Sequence, residues 1–300
     1  WLVGLQSNRP WLLALSGLLV AISGLTKYYG LALIPLLLLY SLFYQRRASL
    51  RILYLLVPVA ILSAYQSWTK SLYGAGLLTS AAAYAQSLNS FGIYRTVVSL
   101  SFAGGCVLPA LLFAPLIWTG RIVAGVAAGI AGLLLAGLAY GQQDSLIPHI
   151  ALFVAGGVSV LWLALSDWWR HRDADSLFLL LWVSGTWVFV SFVNWGGNGR
   201  SVLPMIPAVG ILLSRRLELL NGDAPHRWRM KWAAPLILSG AVSLWVASAD
   251  ASAANSSRTA AQYARDHLRQ SETSFQGHWG FQYYMQALGF RPFTLEDLNG

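Results

Sequence analysis

Long apolar runs alternate with short polar clusters along most of the chain. The runs cover residues 11–25, 29–44, 50–67, 96–118, 121–140, 147–166, 177–194, 202–214 and 232–249. A helix needs roughly 20 apolar residues to cross a hydrocarbon core of about 30 Å. The pattern therefore predicts an all-α polytopic membrane protein with about nine transmembrane or partly spanning helices, occupying residues 1–249. The first, second and eighth runs are short for a full crossing, which predicts tilted, broken or re-entrant segments. After residue 249 the pattern changes. It predicts a helix near 257–270, a strand near 273–276 and a second helix near 280–288 stopped by Gly289, with Pro292 beyond it. Residues 250–300 read as the start of a small α/β extracytoplasmic tail.

Composition agrees with this pattern. The chain is 56% hydrophobic and only 10% charged, against roughly 25% charged in an average soluble domain. The net charge of +9 does not imply nucleic acid, because the basic residues sit in short clusters between apolar runs. With Arg9 placed in the cytoplasm, twelve of the 20 Lys and Arg residues fall on that side, four fall in outer loops and four in the tail. This bias orients the chain with its tail outside. Trp68, Trp118, Trp168, Trp169, Trp195 and Trp232 lie at run ends, where amphipathic rings prefer to sit. A single cysteine, Cys106, excludes an internal disulfide.

The stretch from Trp11 to Tyr44 holds one charge, Lys27. Gly24, Gly30 and Pro35 offer breaks, and 34 residues in one helix would reach about 50 Å, so length favours two passes over one. Two readings of Lys27 stand level: an interfacial lysine that snorkels to water, or an ammonium set at the outer face to pair with a phosphate. Tyr28 and Tyr29 beside it can bond to or stack on a sugar. Arg200, in Asn198-Gly-Arg200-Ser, is an arginine on the side the charge bias disfavours. Its guanidinium suits bidentate phosphate binding, and the glycines around Asn198 allow close approach. In the tail, Gly277-His278-Trp279-Gly-Phe-Gln-Tyr-Tyr284 offers His278 and Trp279 as sugar contacts, although four aromatic rings in a small unit more often form its core.

No run carries an Asp or Glu in its interior, which disfavours proton-coupled transport. No Gly-rich phosphate loop ending in Lys-Ser/Thr appears, and no His/carboxylate cluster has metal-ligand spacing. The sequence assigns no cofactor and leaves a divalent metal open.

Gly-Leu-Thr-Lys27 at a helix end, then an apolar run with an early proline, resembles the GT-C superfamily of membrane glycosyltransferases. More narrowly, it is similar to the bacterial relatives of dolichyl-phosphate-mannose–protein mannosyltransferases and of lipid A aminoarabinose transferases. Gly199-Arg200-Ser-Val-Leu-Pro204-Met-Ile-Pro207 resembles their short R-Y-x-x-P-x-x-P helix, with Ser201 where tyrosine is usual. The resemblance implies sugar transfer from a polyprenyl-phosphate donor to a lipid, glycan or protein acceptor on the outer face of the bacterial inner membrane, among membrane lipids and without nucleic acid. It implies that Lys27 contacts the donor phosphate and Arg200 a second phosphate or the acceptor. The family's catalytic carboxylate lies in a first outer loop that nothing here matches. The expectation is therefore an N-terminally truncated fragment with no catalytic residue of its own, inactive alone. Two other roles stay open: a flippase or carrier for lipid-linked sugars, and a structural subunit of a cell-envelope assembly complex.

Overall fold

The computed structural model describes residues 1–45, 50–87, 93–118, 147–194, 198–221 and 227–294, with Ile122, Val126, Gly129 and Ile130 besides. The run 121–140 lies almost wholly outside the described residues, as do Trp195 and the glycines after it. The chain is a helical membrane protein. Five of its described helical stretches are long and apolar enough to cross a membrane: Tyr28–Gln45, Leu50–Tyr73, Ile147–His171, Ala174–Val193 and Trp232–His267. Pro10–Thr26 is apolar but shorter. Two compact units divide the chain, Trp1–Met230 and Lys231–Gly300.

In the first unit, α1 (Leu2–Gln6) and α2 (Pro10–Thr26) lead to a 3-10 turn at Tyr28–Ala32 and then α3 (Leu33–Gln45). Pro10 opens α2, where a missing N–H costs nothing. Leu13 packs with Tyr40, and Val20 with Leu37. Those pairings make α2 and α3 an antiparallel hairpin with Lys27 at its turn. Leu15, Leu18, Leu19 and Ile22 form an exposed apolar row on α2, the spacing of a lipid-facing helix stripe.

A 3-10 segment at Leu50–Leu55 precedes α4 (Leu56–Tyr73), which ends at Gly74 in the left-handed region (φ 74°). Between the apolar runs 50–67 and 96–118 the described chain is largely helical: α4 extends to Tyr73, and α5 (Leu77–Ser87) follows. The run 96–118 is two helices, α6 (Ile93–Cys106) and α7 (Leu108–Ile117). Val107 leaves helical geometry (φ −112°, ψ 46°), and Pro109 cannot donate the N–H that would carry one helix through.

The centre of the unit is α8 (Ile147–His171) against α6 and α9 (Ala174–Val188). Glycines let α6 and α8 touch backbone to backbone. A Cβ on Gly104 would overlap the Phe153 carbonyl, and one on Gly157 the Leu100 carbonyl. Small residues at such contacts are the usual means of close packing between membrane helices. A π-helical turn at Phe189–Val193 ends α9. The run 202–214 is also subdivided, into α10 (Gly199–Val202), a 3-10 turn at Leu203–Met205 and α11 (Ile206–Asn221). Pro204 and Pro207 account for the interruption.

An ion cluster ties α8, α9 and α11. Asp167, only 5% exposed, lies 3.2 Å from the Arg215 guanidinium and 3.3 Å from His171 Nδ1. The Arg215 contact reaches Asp167 Oδ2 as an ion pair without hydrogen-bond alignment. The carboxylate just beyond the apolar run 147–166 is thus a buried, paired charge. Asp173 caps α9 in a reciprocal box, its carboxylate accepting from the Ser176 N–H at 2.7 Å. Partial burial works against its ionisation, yet the Ser176 hydroxyl and N–H, helped by Arg215, hold its carboxyl below the usual range. The folded value lies under the unfolded one, so this stabilisation is present above the ordinary carboxylate value and is lost as pH falls through the folded one. Asp173→Asn, which keeps the cap without the charge, is expected to flatten the acid limb of thermal stability measured in detergent.

One helix, α12 (Arg227–His267), runs unbroken for 41 residues, all but its first four of them in the second unit. The expected last span and the expected first tail helix are therefore continuous, and residue 249 is not a structural boundary. A parallel pair of two-residue strands, β1 (Ser274–Phe275) and β2 (Arg291–Pro292), flanks α13 (Trp279–Ala287). Ala261, Ala264, Phe275, Met285 and Phe290 form the core, with Phe281 and Tyr284 packed on it. Gly289 sits at φ 88°, which supplies the turn from α13 into β2.

Candidate functional site

Lys27 owes its position to the end of α2. The helix stops as Lys27 turns extended (φ −151°, ψ 125°), its N–H still bonded to the Ser23 carbonyl. The Gly30 N–H then donates to the Lys27 carbonyl at 2.8 Å, closing the 3-10 turn. Gly30 is required there. A Cβ would lie 2.5 Å from the Ser23 carbonyl carbon and 2.6 Å from the Gly24 nitrogen. Gly30→Ala is expected to cost about 1–3 kcal/mol, read as a fall in thermal unfolding temperature, because two backbones must part.

The Lys27 side chain is exposed and borders a cavity of about 570 Å³ between the α2–α3 hairpin and α9. This is an ordinary size for a small-molecule site. Ser23, Lys27, Tyr29 and Thr186 supply its polar groups. Leu33, Leu36, Leu39 and Leu181 supply an apolar wall. From Leu33 to Leu39 that wall runs about 9 Å along α3. Its described residues therefore offer one cation and a few hydroxyls beside a strip of hydrocarbon.

The walls are held by specific bonds. Tyr40 donates to Asp175 Oδ1 at 3.0 Å, fastening α3 to α9. Trp182, whose ring borders the cavity, donates its indole N–H to the Pro204 carbonyl at 2.9 Å. The Tyr29 hydroxyl lies 2.6 Å from Thr186 Oγ1, and its ring meets Phe189 edge to face at 4.6 Å. Tyr28 faces Tyr65 instead, and does not border the cavity.

The other sequence candidates divide. Pro204 of the proline-rich helix borders the cavity, but Asn198 and Arg200 do not. Asn198 is the N-cap of α10: its side-chain oxygen accepts from the Ser201 N–H and hydroxyl, both at 3.1 Å. Asn194 donates to Ser201 Oγ at 2.7 Å. Ser201 is buried in this network, so a tyrosine there would not fit the same bonds. Arg200 is exposed at the start of α10. His278 is exposed as the N-cap of α13; Trp279 opens that helix, and its side chain lies outside the described residues. Phe281 and Tyr284 from the same motif pack, partly buried, against the core of the second unit. Among the described residues, no group of three or more His, Cys, Asp or Glu side chains is placed to hold a metal.

Trp182 and Thr186 were not foreseen from the sequence. Nothing local marks them, since both are apolar-run residues whose partners lie far away in the chain. No protein-family model matches the chain, and neither a curated protein nor a solved structure is significantly similar to it.

Proposed function

We propose that the protein is a glycosyltransferase that takes a sugar from a polyprenyl-phosphate donor at the outer face of the bacterial inner membrane. One observation carries this reading: Lys27, the lone cation of the hairpin, borders a cavity whose wall is otherwise leucine-rich. An amphiphile with an anionic head and a hydrocarbon tail satisfies both parts at once. The ammonium pairs with phosphate as a point charge, and the Leu33–Leu39 strip shelters the first carbons of the tail.

In the proposed transfer, an acceptor hydroxyl attacks the anomeric carbon. The new C–O bond forms as the bond to the lipid phosphate breaks, and the hydroxyl proton passes to a general base. Lys27 stabilises the charge that grows on the departing phosphate. Arg200, outside the cavity, is assigned to the acceptor side. Among the described residues no carboxylate borders the cavity, so the base is assigned to a residue beyond this lining. The same observation favours, as a second reading, a carrier that binds lipid-linked sugars without transferring them.

The experiment is a transfer assay of the full-length protein in liposomes with a radiolabelled polyprenyl-phosphate sugar. Label leaving the lipid for an acceptor supports the enzyme. Label that changes leaflet while remaining on its lipid supports the carrier and refutes the transferase.

A further inference from the structure

The hydrogen-bond chain behind Tyr29 fixes what that residue can offer a ligand. The Thr186 hydroxyl sits 2.8 Å from the Trp182 carbonyl. A carbonyl only accepts, so the single Thr186 proton is spent on it. The 2.6 Å contact between Tyr29 and Thr186 then has one consistent assignment: Tyr29 donates. A phenol whose proton is engaged keeps only its lone pairs for another partner. Trp182 has nothing left to offer, since its one N–H is given to Pro204 and an indole nitrogen does not accept.

Tyr29 and Thr186 both border the Lys27 cavity. The cavity therefore combines two opposite kinds of recognition. Lys27 is a donor and a cation, suited to phosphate oxygens. Tyr29 is an acceptor, unsuited to phosphate oxygens and suited to a hydroxyl. We infer that Tyr29 is a specificity residue that accepts a hydrogen bond from a hydroxyl of the lipid-linked sugar, so that the cavity prefers sugar-bearing prenyl phosphate to the bare carrier. This rests on the lipid-phosphate reading above and adds a consequence for turnover. Once the sugar has left, the spent carrier loses the Tyr29 bond and leaves more readily.

The test uses the full-length protein in detergent and two probes, a prenyl phosphate and the same lipid carrying a hexose. Binding of each is measured with wild type, Tyr29→Phe and Thr186→Val. Tyr29→Phe keeps the ring against Phe189 and removes only the hydroxyl. It is expected to weaken the sugar-bearing lipid about five- to tenfold, the size of one hydrogen bond, and to leave the bare lipid within about twofold. Thr186→Val removes the acceptor that holds the Tyr29 proton. It is expected to tighten binding of the bare lipid and so narrow the preference from the other side. Equal loss for both lipids in Tyr29→Phe, or no loss for either, would overturn the role of Tyr29 while leaving the lipid-phosphate reading intact. Failure of wild type to bind either lipid would overturn both.

Discussion

Lys27→Ala in the full-length protein is expected to lower kcat/KM for lipid-phosphate sugar transfer roughly 100-fold, the usual loss when one group that stabilises developing charge is removed. Thermal stability should hardly change. Lys27 is exposed, its backbone is extended where alanine is comfortable, and the bonds that close the turn come from its main chain rather than its side chain. Lys27→Arg should recover part of the activity, since charge is kept while the planar guanidinium replaces a compact ammonium. A stable Lys27→Ala protein with full activity would remove Lys27 from the site.

The largest structural effect is expected at the α6–α8 contact. Gly157→Val or Gly104→Val should cost more than about 3 kcal/mol, seen as loss of the folded, monodisperse protein or a steep fall in unfolding temperature. The neighbour at each position is a backbone carbonyl, of Leu100 or Phe153, which no rotamer change can move aside. Gly185→Ala is the control: that glycine borders the cavity, but a Cβ there meets nothing within 4 Å. Unfolding midpoints of the three variants in one detergent check the contrast.

Helix identity was readable in the sequence because apolar runs are a local property. Boundaries were less so. Val107 and Pro109 lie inside one continuous apolar run, and hydropathy does not register a missing N–H. At the other end, hydropathy falls near residue 249 while α12 continues, because Ala253, Ala254, Ala260 and Ala261 keep good helix formers in a polar stretch. A fall in hydropathy reports a change of solvent, not a helix end. Lys27 was legible as a cost, one charge in a long apolar stretch. Its cavity was not, because the opposite wall comes from Leu181, Trp182 and Thr186 on a helix far along the chain. Asn198 illustrates the converse. Its motif suggested a ligand contact, whereas an asparagine three residues before Ser201 at a helix start is also a cap, and the cap is what the structure contains.

Another cavity of similar size, about 550 Å³, lies beside Trp118 and Trp162, and its described lining is almost wholly apolar. Among the described residues no cation lines it, so it serves to separate binding of any lipid from binding of a lipid phosphate. The most direct measurement is photolabelling of the full-length protein in membranes with a prenyl phosphate bearing a diazirine near its phosphate end, followed by peptide mapping. The account predicts labels within Leu33–Leu39 and Leu181–Thr186, suppressed by excess unlabelled prenyl phosphate and by Lys27→Ala. Labels concentrated at Trp118 and Trp162, unaffected by Lys27→Ala, would contradict it.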